Sequence, residues 1–377
     1  MTPVLTSNIA GLEIPLAQIE SEFRKIWEHA GGKEGEPVAF KASTLNLIVI
    51  CNQKDLFGEI VTMVPEVTKS HPGRIIMVLL DPGQETDRIT ANISAFCHPP
   101  REDGRQICCE LIILETGSDG AKHLSGTLLP LILSDLPVFL YSPDNLVLNS
   151  PHFEPLKKSI ERVILNAPDI FDSLDSVYQY MDSVIKTSEY SKISDLEWSR
   201  LTPWREALAR LFDGKEGEQK LNTISGINIH TGGAGYSSTG LFLAGWLASQ
   251  LQWNVQKYEN KAYLDLSLRA NGKKIHISLY SGADNVPAGD VSTIEIEIGT
   301  DSGEIHYARL QDGGINLYKQ QNGQELLLDK ISTSTPSQTW LIGNELDFVR
   351  ADTVYLASIE TLWNALNTDK RNVYEVY

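Results

Sequence analysis

Apolar and polar positions follow two different textures along this chain of 377 residues. In the first half the apolar runs are short and nearly unbroken. Leu45–Ile50, Arg74–Leu80, Leu136–Tyr141 and Glu161–Asn166 read as strands covered on both faces, because a half-wet strand would alternate. Further strands are expected near 91–97 and 106–114. Helical periodicities lie between them. Ile19, Phe23, Ile26 and Trp27 share one face of a helix that Gly31-Gly32 stops. Leu56, Ile60 and Met63 share a face of another, with Asp55 as its cap. Ala121–Leu133 reads as helix, kinked or ended by Pro130. Leu174, Val177, Tyr178, Met181 and Ile185 form a further amphipathic face. Such strands alternating with helices predict a layered α/β domain.

The texture changes after Trp253. Strict alternation runs through Lys274–Tyr280 and Thr293–Ile298, and persists over 305–310 and 315–319. Asp312-Gly313-Gly314 and Asn322-Gly323 punctuate it. This predicts an antiparallel meander with one wet face. A strand at Ile224–His230, a glycine-rich turn and a helix over 241–251 precede the meander. A helix over 354–367 closes it, with Leu356, Ile359, Leu362 and Trp363 inward. Between the two textures, Thr202-Pro203 opens a helix that repeats Trp204, Leu208, Leu211 and Phe212 on one face. The predicted fold class is therefore α/β: a layered N-terminal α/β domain over 1–213, then a C-terminal α+β domain with an antiparallel meander over 219–377. The polar stretch Asp213–Glu218 is the expected boundary.

Charge narrows the partners. The formal net charge of -17 repels nucleic acid and anionic membrane surfaces. The longest apolar runs, near Leu124–Leu140 and Leu241–Leu251, are interrupted before the ~20 residues a spanning helix needs. Met1-Thr2-Pro3-Val4 has no basic segment followed by an apolar one, so a cytoplasmic place is expected. The four cysteines, Cys51, Cys97, Cys108 and Cys109, have no metal-site spacing and read as reduced, small buried groups. Cys108 and Cys109, adjacent in a strand, should face opposite sides of the sheet.

Candidate chemistry is sparse. Gly233, Gly235, Ser237 and Ser238 lie in a loop between a strand and a helix start, where free N–H groups can hold an anion. However, Gly235-x4-Gly240 is followed by Leu241-Phe242 instead of the Lys-Ser/Thr pair that grips phosphate and magnesium. The G-x-G-x-x-G pattern fails at Ser238. Helix capping by Ser237 or Ser238 is the competing reading. His71 and Arg74 flank a Pro-Gly turn, where Arg74 would grip a partner's carboxylate. His123 and Asp135 lack a nucleophile to complete an acid–base set. Trp198, Arg200, Trp204 and Arg205 gather side chains that dominate interface hot spots, and that also stack inside domains. No catalytic residue, metal set or cofactor motif emerges.

Four segments carry a resemblance. They are His71-Pro72-Gly73-Arg74, the stretch Leu128–Val138 ending in Asp135-Leu136-Pro137-Val138, Asp195–Arg205 with Trp198 and Trp204, and Leu243–Trp253 with Trp246. In order and spacing the chain resembles the glucose-6-phosphate dehydrogenase assembly (OpcA) family. The resemblance implies a non-catalytic partner of that dehydrogenase. It would promote the enzyme's active oligomer in the oxidative pentose phosphate pathway, without turning over substrate. Family members are linked to thiol redox control, yet the meander here has no cysteine. The family's aromatic pair after the Asp-Leu-Pro-Val strand is reduced to Tyr141 followed by Ser142. The alternative reading is a sugar-phosphate- or nucleotide-binding enzyme, or a metabolite sensor, using the Gly232–Gly240 loop, with His71 or His123 as acid–base group.

Overall fold

The computed structural model describes residues 4–5, 14–29, 38–98, 105–148, 150–260, 263–270, 272–299, 303–333, 336–347 and 350–374. The chain forms two compact units. The first draws on 1–166, 187–194 and 337–351, the second on 167–186, 195–336 and 352–377. The polar stretch expected as a boundary is instead part of a helix of the second unit, Gly214–Leu221. The glycine pair at 31–32 lies outside the described residues.

In the first unit a nine-stranded sheet runs in the order Val4–Leu5, Thr90–Cys97, Arg105–Gly117, Gly73–Asp81, Leu45–Cys51, Val138–Ser142, Arg162–Leu165, Lys192–Asp195. Val38–Lys41 pairs with the Arg105–Gly117 strand off this path. The five strands from Arg105–Gly117 to Arg162–Leu165 are parallel. Leu45–Cys51 is buried at every position, as its unbroken apolar run requires. From it the chain steps outward to Gly73–Asp81 and Arg105–Gly117, then returns to lay Val138–Ser142 on the opposite flank. That reversal makes a topological switch point.

Local readings shift slightly. Helix Lys54–Ser70 buries Phe57, Ile60, Val64 and Val67, while Leu56 and Met63 are half-buried. Asp55 sits in its first turn rather than at its cap, where its charge still favours the helix dipole. Helix Ala121–Leu128 gives way to a tighter turn over Leu129–Leu131, because Pro130 has no N–H to continue it. Asp135 takes a positive φ of 67° in the turn into the next strand. The expectation of four reduced cysteines fails. Antiparallel register places Cys97 opposite Cys108 with Cα atoms 4.0 Å apart, and a disulfide joins them. Cys51 and Cys109 remain free thiols that burial pushes up to about 12 and about 11.

In the second unit an eight-stranded sheet runs Asn254–Asn260, Leu264–Ala270, Lys273–Ala283, Ile224–Gly232, Val291–Ile298, Glu304–Gln311, Gly314–Gln321, Gln324–Ser332. The meander is present, but the sheet is mixed, since Ile224–Gly232 and Lys273–Ala283 pair in parallel. Helix Ser238–Gln250 causes this by carrying the chain back to the end from which it started. Helices Ser238–Gln250, Thr353–Tyr374 and Thr202–Leu211 pack against the sheet. Under them lie Leu266, Ile277, Ile227, Ile296 and Leu317, all at most 1% exposed. Helix Ser238–Gln250 is buried nearly all round, and Gly245 permits that. A Cβ there would stand 2.6 Å from the Ser358 carbonyl.

Candidate functional site

Parallel sheets of this type bind dinucleotides at the switch point, against the helix N-terminus beside it. Here the first strand–helix turn, Cys51-Asn52-Gln53-Lys54, has no glycine to let a pyrophosphate approach. The chain's own carboxylates stand there instead. Asp144 accepts from the Asn52 N–H at 2.7 Å and from the Leu146 N–H at 3.2 Å. Lys54 lies 2.7 Å from Asp81, the residue ending the second parallel strand. That ammonium and the Gly83 N–H hold the Asp81 carboxyl below its ordinary range.

Arg74 does not reach a partner. It is 1% exposed, and parallel register sets it opposite Glu110, which is fully buried. Arg74 Nε donates to Glu110 at 2.8 Å, and its other nitrogens donate to Glu20 and to the Leu131 carbonyl at 2.9 Å. Lys41 and Trp27 Nε1 complete the shell of Glu110 at 2.7 and 2.8 Å. Burial alone would raise the Glu110 carboxyl, but Arg74, Lys41 and Trp27 outweigh it and hold the group low. His71 turns its Nε2 to Asp347 at 2.9 Å. His123 lies on an exposed helix face, and among the described residues no hydrogen bond joins it to Asp135.

The tryptophan–arginine cluster is assembled inside the second unit. Trp198 is 1% exposed and Trp204 is 7% exposed. Trp198 Nε1 donates to Asp352 at 2.7 Å, while the Arg205 guanidinium lies 3.6 Å over its ring. Tyr355 packs against the same indole and donates to Asp195 at 3.2 Å. Asp195 also caps helix Leu196–Arg200 through the Glu197 N–H and accepts from Tyr180. Burial raises the Asp195 carboxyl despite these donors. The same cause lowers Arg205 to about 10, with Asp352 opposing. Arg200 pairs with Glu197. Both indoles are buried, and Arg200 and Arg205 are half-buried beside them.

The glycine loop is closed by protein oxygens. Ser237 Oγ accepts from the Gly240 N–H at 3.1 Å, capping the helix, and donates to the Gly289 carbonyl at 2.6 Å. The Ser238 N–H donates to the Asp169 carbonyl at 3.2 Å. Gly235, at a φ of 120°, leaves no room for a side chain, since its Cβ would meet Ile170 at 2.5 Å. Capping, the competing reading, describes Ser237. Of the candidate anion-binding residues Gly233, Gly235, Ser237 and Ser238, the two glycines are packed so closely that a side chain would meet Ala288 or Ile170, and Ser238 spends its N–H on Asp169.

The feature that single-residue reasoning missed is the polar face of the second sheet. Helices Ser238–Gln250, Thr353–Tyr374 and Thr202–Leu211 lie on the apolar face; the alternate residues point the other way. Register aligns Asp265, Ser278, Asn228, Glu295, Tyr307, Tyr318 and Leu327 across seven strands. A neighbouring row holds Tyr280, His230, Thr293, Arg309, Asn316 and Lys330. Cross-strand contacts fix these side chains. His276 pairs with Asp265 at 3.0 Å, and Asn228 donates to Glu297 at 3.3 Å. His230 stacks on Tyr280 with ring centres 4.9 Å apart. Tyr307 stacks on Tyr318 at 5.1 Å, with Arg309 over both rings and 3.9 Å from Glu325. At the sheet edge Leu326, Leu327 and Leu328 are 61%, 54% and 45% exposed. The sequence signal for this face is the alternation in 274–280 and 293–298, which marks a wet face without saying what it meets.

Comparison with known proteins gives a consistent family. Residues 64–180 match the model described as the glucose-6-phosphate dehydrogenase subunit N-terminal domain. Residues 191–359 match the C-terminal domain of the same subunit. An OxPP cycle protein OpcA of Synechocystis sp. is 31% identical over 196 residues, covering 51% of this chain and 40% of the relative. Its namesake in Nostoc punctiforme is 27% identical over 201 residues, covering 52% and 42%. The matched stretch thus spans about two fifths of the length of these relatives. Among solved structures, an oxidoreductase of Bacillus subtilis aligns over 88% of this chain and 98% of its own, at 11% identity and a TM-score of 0.43. The transcriptional regulator Gal80p of Kluyveromyces lactis aligns over 88% and 94%, at 11% identity and a TM-score of 0.46. Neither likeness bears on chemistry. No helix among the described residues is long and apolar enough to cross a membrane.

Proposed function

This chain belongs to the OpcA family of glucose-6-phosphate dehydrogenase assembly proteins, and we propose that it binds that dehydrogenase and favours its active oligomer. Its place is then the oxidative pentose phosphate pathway, in the cytoplasm, with neither nucleic acid nor membrane as partner. It acts by differential affinity: each 1.4 kcal/mol of preference for the active assembly shifts the equilibrium about tenfold. The chain contributes no catalytic residue, metal or cofactor of its own to this proposal.

The polar sheet face is the observation that carries the reading. Tyr318 and Arg309 are residue types that anchor interfaces, and packing on the buried Tyr307 ring fixes them before a partner arrives. The exposed leucine edge adds apolar area beside them. Arg200 and Arg205 join as secondary contacts, supported by Trp198 and Trp204. An enzyme reading has less support, because side chains of the chain itself stand at the switch point. The test mixes purified chain with the dehydrogenase and follows assembly mass and turnover. We expect a mixed complex and higher turnover, both lost in an Arg309→Glu, Tyr318→Ala variant. Unchanged mass and turnover with the unmodified chain would remove the proposal.

A further inference from the structure

The second unit holds a solvent-open cavity of about 300 Å³ where strands Ile224–Gly232 and Lys273–Ala283 end and helix Ser238–Gln250 begins. That volume is at the lower end of small-molecule sites. Tyr236, Tyr263 and Tyr280 line it, with Ser281 and Asp172. Leu264 and Leu279 add an apolar surface. Tyr263 and Tyr280 lean on each other at 4.6 Å, and Tyr280 is backed by His230, so the ring cluster is held before any ligand arrives. The Ser237 and Thr231 hydroxyls at the cavity are engaged with protein carbonyls.

This lining has a definite chemical preference. Tyrosyl and seryl hydroxyls both donate and accept, and a carboxylate accepts, so a ligand rich in hydroxyl groups can be matched at several points. Apolar side chains and ring faces suit the C–H face of a saturated ring. No lysine or arginine is among the described lining residues, and the one charged group is Asp172. A phosphate ester would stand beside that carboxylate with no cation among the described lining residues to compensate. An organic cation is the competing ligand for a tyrosine-lined cavity with one carboxylate, and tetramethylammonium is the probe that tests it.

We propose that this cavity binds a neutral polyhydroxylated small molecule, a free sugar or polyol, in preference to its phosphate ester. The proposal does not rest on dehydrogenase binding, since ligand binding is read on this chain alone, and Tyr280 borders both the cavity and the polar face. It replaces the sugar-phosphate alternative with a ligand of different charge.

The experiment is saturation-transfer NMR and calorimetry on the full chain. The probes are D-glucose, myo-inositol, D-glucose 6-phosphate and tetramethylammonium chloride. We expect at least one neutral probe to saturate at millimolar concentration, and glucose 6-phosphate to bind at least about tenfold more weakly than glucose. Tyr263→Ala should abolish the response. Asp172→Asn, at an exposed position that leaves the fold intact, should weaken it several-fold. Lys122→Ala, at an exposed position of the first unit, should leave it unchanged. Circular dichroism confirms that each variant is folded. Equal or tighter binding of glucose 6-phosphate, preference for tetramethylammonium, or no saturation by either neutral probe would overturn the proposal.

Discussion

The two sheets of this protein treat charge in opposite ways. In the first, strands are covered on both sides, and the principal ion pair, Arg74 with Glu110, is sealed within the structure at 1% and 0% exposure. In the second, helices cover one face and the charges of Glu295, Glu297 and Arg309 lie on the other. Both devices are cross-strand pairs, yet they do different work. A sealed guanidinium fixes register and cannot recognise anything, because every donor is already engaged. A guanidinium held over two stacked tyrosines stays ordered while still meeting solvent. Recognition in this chain is therefore expected from the second sheet, and structural specification from the first.

Substitutions can break that contrast. The largest effect should come from Arg74→Ala, which leaves Glu110 buried without its main partner. It should cost about 3–5 kcal/mol in urea unfolding. The double change Arg74→Met, Glu110→Leu should cost less than Arg74→Ala, since no charge is then stranded. Next, Arg309→Glu with Tyr318→Ala should leave stability within about 1 kcal/mol and weaken dehydrogenase binding by about 2 kcal/mol, roughly 30-fold. If instead stability collapses, the polar face is structural too.

A pH titration sharpens the comparison within the second unit. Glu304 lies on the helix-covered face. Burial raises its carboxyl, but Lys220, His306 and Lys319 outweigh that and hold it at about 2. A depressed folded value means the unfolded chain takes up the proton first as pH falls. The stabilisation is thus complete above about 4.5 and is lost toward about 2. Glu304→Gln should flatten that part of the stability–pH curve. The smallest effect is expected for Arg205→Ala, which removes the guanidinium over Trp198. It should cost about 0.5–2 kcal/mol in stability, and complex formation should survive.

Much of the fold was legible because burial leaves a periodic trace. Leu45–Cys51 announced a fully covered strand by having no polar interruption other than Asn46. That residue is satisfied by exchanging hydrogen bonds with the backbone of Leu133. The alternation in 293–298 announced the half-wet second sheet. What periodicity could not give was long-range pairing. Nothing near Arg74 in sequence marks Glu110 as its partner 36 positions away, so it read as a surface residue. The Cys97–Cys108 bridge depends on strand register, which the spacing of cysteines does not encode. The parallel pairing in the second sheet was likewise hidden, because it needs the direction of helix Ser238–Gln250 as well as its existence. Trp198 and Trp204 looked equally suited to core or interface, since large aromatic groups serve both.

The most direct test is the mass distribution of the dehydrogenase with this chain, measured by sedimentation alongside turnover. The unmodified chain and the Arg205→Ala variant should enter the complex and raise turnover, while the Arg309→Glu, Tyr318→Ala variant should do neither. A dehydrogenase whose mass and rate ignore the unmodified chain, or respond identically to the Arg309→Glu, Tyr318→Ala variant, would contradict this account.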